Sequence, residues 1–146
     1  MSQYVRFTSA SLLFLLVSCA SSPAHDPRSL PQVIYAGADP NAKNAVGRTP
    51  LMFASSYGYV PIVTMLLAKG ADVNRVPDDK TGWSALMAVA HNGHAAVVSL
   101  LLKSGANQSI VDVKGKTALG LAEMRGQTEA IRALREHGAQ LPPLTQ

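Results

Sequence analysis

Charge is scarce in this sequence. Only 15% of the 146 residues are Asp, Glu, Lys or Arg, and the net charge is a mild +4. No block of five or six like charges occurs, and no aromatics interleave with the cations, so nucleic acid is not an expected partner. Aromatic residues make up 5%, with a single tryptophan at Trp83. There is one cysteine, Cys19, which excludes an intrachain disulfide framework and a cysteine-based zinc site. Long hydrophobic runs are also missing. The run Leu12 to Val17 falls far short of the roughly 20 residues that span a bilayer, and later stretches are broken by charge, glycine or proline. The sequence therefore predicts no membrane-spanning helix. What it does have is apolar content: 47% hydrophobic residues, too many for a disordered chain and enough for one compact domain.

The first residues form a separate object. Arg6 precedes the apolar run Leu12-Leu13-Phe14-Leu15-Leu16-Val17, and the small residues Ser18-Cys19-Ala20-Ser21-Ser22 follow. A basic start, a short apolar core and then small residues is the layout of a secretory signal. The segment Leu16-Val17-Ser18-Cys19 resembles the lipobox of bacterial lipoproteins. That resemblance implies cleavage before Cys19, a diacylglycerol on its thiol and an acylated new N-terminus. Ala20 stands where Asp would favour retention at the inner membrane. The resemblance thus implies delivery to the periplasmic face of the bacterial outer membrane. An ordinary signal peptide cut after Ala20, or retention in the cytoplasm, is the other reading. Loss of residues 1–18 removes one cation, Arg6, and no acid, so the charge of +4 becomes +3.

The remainder repeats. Gly47-Arg48-Thr49-Pro50-Leu51, Gly82-Trp83-Ser84-Ala85-Leu86 and Gly115-Lys116-Thr117-Ala118-Leu119 align, and each is followed by a second glycine (Gly58, Gly93, Gly126). An aliphatic run and a third glycine, always before alanine, complete each unit at Gly70, Gly105 and Gly138. Equivalent glycines are separated by 35 and then 33 residues. Ile62-Val63 with Leu66-Leu67, and Val97-Val98 with Leu101-Leu102, have the spacing of a helix buried along one broad face. Thr49, Ser84 and Thr117 are positioned to cap first helices, and the second glycines suit a left-handed turn residue.

A period of 33 residues with G-x-T-P-L near its start resembles the ankyrin repeat. The resemblance covers residues 29–141 and implies an all-α repeat solenoid. It comprises three full helix-turn-helix repeats with hairpin loops, plus an N-terminal half-repeat at Ser29 to Ala36. Residues 1–18 are then the signal peptide, 19–28 a lipidated tether and 142–146 a C-terminal tail. Leu30, Val33 and Ile34 of the half-repeat are expected to cover the open end of repeat one. Ile131 and Leu134 keep the inner face in repeat three, where Arg135 replaces Leu67 and Leu102, as befits a water-facing terminal unit. The family's usual histidine is absent: Met52, Met87 and Gly120 occupy its positions, so its hydrogen bonds between repeats are not expected.

Chemistry is hard to find. His91 and His94 flank Gly93, and His94 matches the family's Gly-His step, a structural role. Asp78-Asp79 reads as a solvated turn. Ser55-Ser56 lacks a His/Asp setting, and there is no phosphate loop, dinucleotide fingerprint or nucleophile elbow. No enzyme activity, metal or cofactor is expected.

Resemblance to ankyrin proteins instead implies a protein partner, bound on hairpins and first helices. The implied positions in repeat one are Arg48 and Tyr57, with Ala45, Val46 and Ser56 beside them. In repeat two they are Trp83, His91 and Asn92, with Lys80 and Thr81. In repeat three they are Lys114, Lys116, Met124 and Arg125, with Val113. Trp83, Tyr57, Arg48 and Arg125 lead, because aromatics and arginine dominate interface hot spots; the alternative for Trp83 is that it lies flat on its own hairpin. Two extra residues between Asn74 and Gly82 lengthen one finger, either for binding or as a neutral insertion. The expected function is a monomeric, envelope-anchored lipoprotein that binds and modulates or inhibits a periplasmic protein. A passive scaffold and an exported effector of a host protein are the alternatives.

Overall fold

The computed structural model describes residues 39–138. The signal segment, Cys19, the tether, the half-repeat at 29–36 and the tail at 142–146 lie outside the described residues. Among the described residues six helices form three antiparallel pairs: α1 (Pro50–Ser56) with α2 (Val60–Ala68), α3 (Ala85–Asn92) with α4 (Ala95–Lys103), and α5 (Ala118–Arg125) with α6 (Thr128–Glu136). No strand occurs among the described residues. The first helices α1, α3 and α5 stack on one another, and so do the second helices α2, α4 and α6.

Two of the three expected caps form. Ser84 Oγ accepts from Met87 N at 3.4 Å, and Thr117 Oγ1 accepts from Gly120 N at 3.3 Å. Thr49 does not cap α1. Its hydroxyl is buried with no partner, because Met52 N already donates to the Thr49 carbonyl at 3.1 Å. Met52, in the place of the family's histidine, instead offers its sulfur to Thr49 N at 3.4 Å. A thioether is a weak acceptor, and it has no proton to offer the orphaned hydroxyl.

The turn glycines are required twice over. Gly58 and Gly93 have φ of +74° and +83°, a region that costs L-residues about 1–2 kcal/mol. Each also touches the next repeat. A Cβ on Gly58 would lie 2.7 Å from His94 Nδ1, and one on Gly93 would collide with the Gln127 amide. Close approach of the neighbouring repeat thus adds to the turn's demand for glycine.

The core runs the length of the stack. Leu51, Leu66, Leu86, Leu101 and Leu134 are buried, together with Val63, Val97 and Val98. Each such side chain contributes roughly 1.5–3 kcal/mol on burial. Leu67 and Leu102 pack against this core but are only partly buried. In α6 the buried residues are Ala130, Ala133 and Leu134, while Ile131 is partly exposed. Ile131 is equivalent to Val63 and Val98, but no helix is stacked over it among the described residues. Arg135 is exposed and donates to Glu123 Oε1 at 2.9 Å. With Arg132 bridging Glu129 and Glu136, it gives the last repeat a charged outer surface.

Candidate protein-docking groove

One polar residue organises each finger. It stands three positions before the finger glycine: Asn44, Asp79 and Asp112. Asn44 Oδ1 accepts from Val46 N and Arg48 N, at 3.1 and 3.0 Å. Asp79 Oδ1 accepts from Thr81 N, Thr81 Oγ1 and Gly82 N, at 2.9, 2.6 and 3.1 Å. Asp112 Oδ1 accepts from Lys114 N and Lys116 N, both at 2.8 Å. Asp79 is therefore not the solvated turn acid expected from the sequence; its side chain is only 11% exposed. Burial by itself would raise its pKa. The Thr81 hydroxyl, the Arg48 guanidinium and the backbone N–H groups of Thr81 and Gly82 outweigh that, and the carboxyl falls from 3.8 to about 2. Asp112 is lowered too, burial being overcome by the N–H groups of Lys116 and Lys114, the Trp83 indole and the Lys114 charge.

These carboxylates tie one repeat to the next. Arg48, Trp83 and Lys116 occupy the same repeat position, directly after the finger glycine. Arg48 Nε donates to Asp79 Oδ2 of the following finger at 2.6 Å. Trp83 Nε1 donates to Asp112 Oδ2 of the finger after that, at 3.2 Å. Trp83 therefore does not lie flat on its own hairpin: it reaches across to the next. No further finger follows Lys116 among the described residues. The lengthened finger folds back on repeat one, with Pro77 buried and Asp78 N within 2.8 Å of a Cβ built on Gly47.

A second ladder runs along the helix turns. His94 Nε2 donates to the Ser56 carbonyl at 3.1 Å, and Gln127 Nε2 donates to the His91 carbonyl at 3.0 Å. His94 and Gln127 are equivalent positions, so a glutamine amide replaces the imidazole in the last repeat. Hydrogen bonds between repeats thus form even though the family's other histidine is missing. Asn92 joins this ladder by donating to both the Ser56 carbonyl and its hydroxyl, at 2.8 and 3.0 Å.

Nine of the surface positions named from the sequence, Arg48, Tyr57, Trp83, His91, Asn92, Lys114, Lys116, Met124 and Arg125, line two adjoining hollows on the face of first helices and fingers, whereas Ala45 and Val46 line neither. The first, about 280 Å³, contains Arg48, Tyr57, Trp83, His91 and Asn92, with Met52 and Phe53 at its floor. The second, about 360 Å³, contains Trp83 and His91 with Lys114, Lys116, Met124 and Arg125. Trp83 and His91 are the shared wall, their ring centroids 4.8 Å apart at a tilt of 50°. Tyr57 is 54% exposed and stacks on Tyr59. Arg48, Trp83 and Asn92 thus carry duties within the fold: each holds the next or previous repeat in place. Tyr57, Met124 and Arg125 project their side chains into solvent. Sequence reasoning missed Asp79, Asp112 and Gln127, although the Asx-x-x-Gly spacing at 44–47, 79–82 and 112–115 was a signal for the first two. No three of His, Cys, Asp and Glu converge on a metal-sized site among the described residues.

An all-helical stack of repeats with adjoining hollows on one face has the form of a protein-interaction scaffold. Ankyrin family models match residues 46–78 (an ankyrin repeat) and residues 75–143 (ankyrin repeats in several copies), together most of the chain. The chain belongs to the ankyrin-repeat family, whose repeats mediate protein–protein interaction. It is 40% identical over 93 residues to the Caenorhabditis elegans ankyrin repeat and KH domain-containing protein mask-1, matching 64% of this chain and 4% of that protein. It is 38% identical over 101 residues to the rat ankyrin repeat and SAM domain-containing protein 6, matching 66% of this chain and 11% of that protein. A putative ankyrin repeat-containing protein of Treponema pallidum is 38% identical over 104 residues, 71% of this chain and 35% of that protein. The chain thus spans only a minor part of these relatives. Partial matches to an E3 ubiquitin-protein ligase of Drosophila melanogaster and a probable one of rice cover 5% and 16% of those proteins.

Proposed function

We propose that this chain is an envelope-anchored adaptor: a lipoprotein held by Cys19 at the periplasmic face of the outer membrane, which binds one periplasmic protein as a monomer and modulates or inhibits it. The observation that carries the binding half is the convergence of exposed Tyr57, Met124 and Arg125 with Trp83 and His91 along two joined hollows. Aromatic and arginine side chains around a partly desolvated pocket are the usual composition of an interface centre. The anchoring half rests on the lipobox-like Leu16-Val17-Ser18-Cys19 at the only cysteine. A Treponema relative of similar repeat sequence makes a bacterial setting reasonable.

The test has two arms. Intact mass of the protein from membranes is expected to include acyl chains on Cys19, absent in Cys19→Ser; an unmodified soluble protein starting at Ser21 rejects the anchor. Crosslinked capture is expected to recover a partner that Tyr57→Ala together with Met124→Ala loses. Unchanged recovery rejects the groove. If the captured protein keeps full activity when bound, scaffolding replaces inhibition.

A further inference from the structure

The two hollows differ in charge, and the difference names a partner chemistry. This inference rests on the groove being the docking face. In the first hollow the one Lys or Arg among the described residues, Arg48, is neutralised by Asp79 at 2.6 Å. Among the described residues the second is lined by four cations, Lys80, Lys114, Lys116 and Arg125, and one acid, Asp112. That carboxylate is 7% exposed and already engaged by the Trp83 indole and two backbone N–H groups. It faces the fold, while Lys80, Lys114 and Arg125 are exposed to solvent. Beside the cations stand two apolar side chains that no described residue covers, Val113 at 67% and Met124 at 65% exposure.

A hollow lined by cations and exposed apolar side chains is complementary to a segment that carries both acidic and apolar groups. We infer that the second hollow takes an acidic segment of a protein partner, with an aliphatic or aromatic side chain set against Val113 and Met124 and carboxylates reaching the lysines and Arg125. Attraction from the cations raises the encounter rate, and the apolar contact slows escape. A flat anionic surface fits less well, because Val113 and Met124 sit within a hollow whose wall is Trp83 and His91. A polyanion without apolar groups leaves both side chains in water.

Three labelled peptides of equal length test this against the full-length chain by fluorescence anisotropy: alternating Glu/Leu, Gln/Leu and all Glu. The Glu/Leu peptide is expected to bind at least about tenfold more tightly than either other peptide, and to weaken as salt rises. Lys80→Glu with Lys114→Glu and Arg125→Glu, all exposed positions, is expected to remove that preference while leaving the helical circular dichroism unchanged. Equal binding of Gln/Leu, equal binding of all Glu, or no binding below about 1 mM overturns the inference. Tighter binding to phosphatidylglycerol vesicles than to the Glu/Leu peptide overturns it in favour of a lipid surface. A natural partner that is lost on Tyr57→Ala with Met124→Ala, yet retained by the charge-reversed chain, leaves the docking groove standing and removes only its acidic specificity.

Discussion

Asp79 offers the sharpest quantitative check on how the fingers are held. Its carboxylate accepts three hydrogen bonds within its own turn and a fourth from Arg48 of the preceding repeat. The fall in its pKa from 3.8 to about 2 corresponds to about 2 kcal/mol at 1.36 kcal/mol per unit. Arg48 is 39% exposed, so solvent screening reduces the effective contribution to about 1–2 kcal/mol. Two substitutions separate its parts. Asp79→Asn keeps an amide oxygen for the turn, as Asn44 does in repeat one, but loses the charge and the second oxygen that accepts from Arg48. It is expected to cost about 1 kcal/mol at pH 7. Asp79→Ala also strands the Thr81 and Gly82 N–H groups and is expected to cost about 2–3 kcal/mol. The sign with pH follows from the lowered pKa. The stabilisation is complete above the unfolded value near 3.8 and disappears as pH falls through the folded value near 2. Urea unfolding at pH 7 and at acid pH measures this. The gap between wild type and Asp79→Asn should be widest at pH 7 and close on acidification toward the folded pKa. Equal midpoints for wild type and Asp79→Asn at pH 7 refute the claim that this ion pair joins repeats one and two.

Other outcomes follow from the same geometry. Gly93→Ala should lower stability by more than Gly105→Ala. Both have positive φ, but only Gly93 has a neighbour, Gln127, where the methyl would go; backbone strain alone costs about 1–2 kcal/mol, and equal urea midpoints for the two variants would contradict the clash. His94→Ala removes the donor to the Ser56 carbonyl and should cost about 1 kcal/mol, whereas His94→Gln, copying Gln127, should recover much of it in thermal unfolding. Trp83→Phe keeps a ring against His91 but loses the donor to Asp112; a destabilisation of about 1 kcal/mol is expected, and no change in unfolding would mean that the indole contact is idle.

The solenoid is legible in the sequence because its signals are periodic. Glycines at 35 and 33 residues bracket the helix pairs, and the aliphatic runs mark the second helix of each pair. Local capping is less legible, since Thr49 and Thr117 have the same residue type at the same position. What separates them is Met52: its N–H is taken by the Thr49 carbonyl, a competition that residue type does not reveal. The role of Asp79 is hidden because an acidic pair in a loop is ordinarily solvated. Its burial comes from Arg48, thirty-one positions away in sequence, and from the lengthened finger folding back on Gly47. The groove positions are accessible through family register, and that register brings all nine to one face. Register alone does not separate residues free to meet a partner from those occupied by the fold. Trp83 and Arg48 carry inter-repeat bonds, while Met124 and Tyr57 stand open. The charge contrast between the two hollows also needs three dimensions, because Lys80 and Arg125 come from different repeats.

The central claim is that a protein docks on the face shared by Trp83, His91 and Met124. Site-specific photocrosslinking in the intact cell tests it most directly. A photoreactive residue replacing Met124, in the groove, is compared with one replacing Arg132, on the outer surface of α6. A discrete crosslinked protein from position 124 and none from position 132 is the predicted result. The same adduct from both positions, or an adduct from 132 alone, contradicts the account.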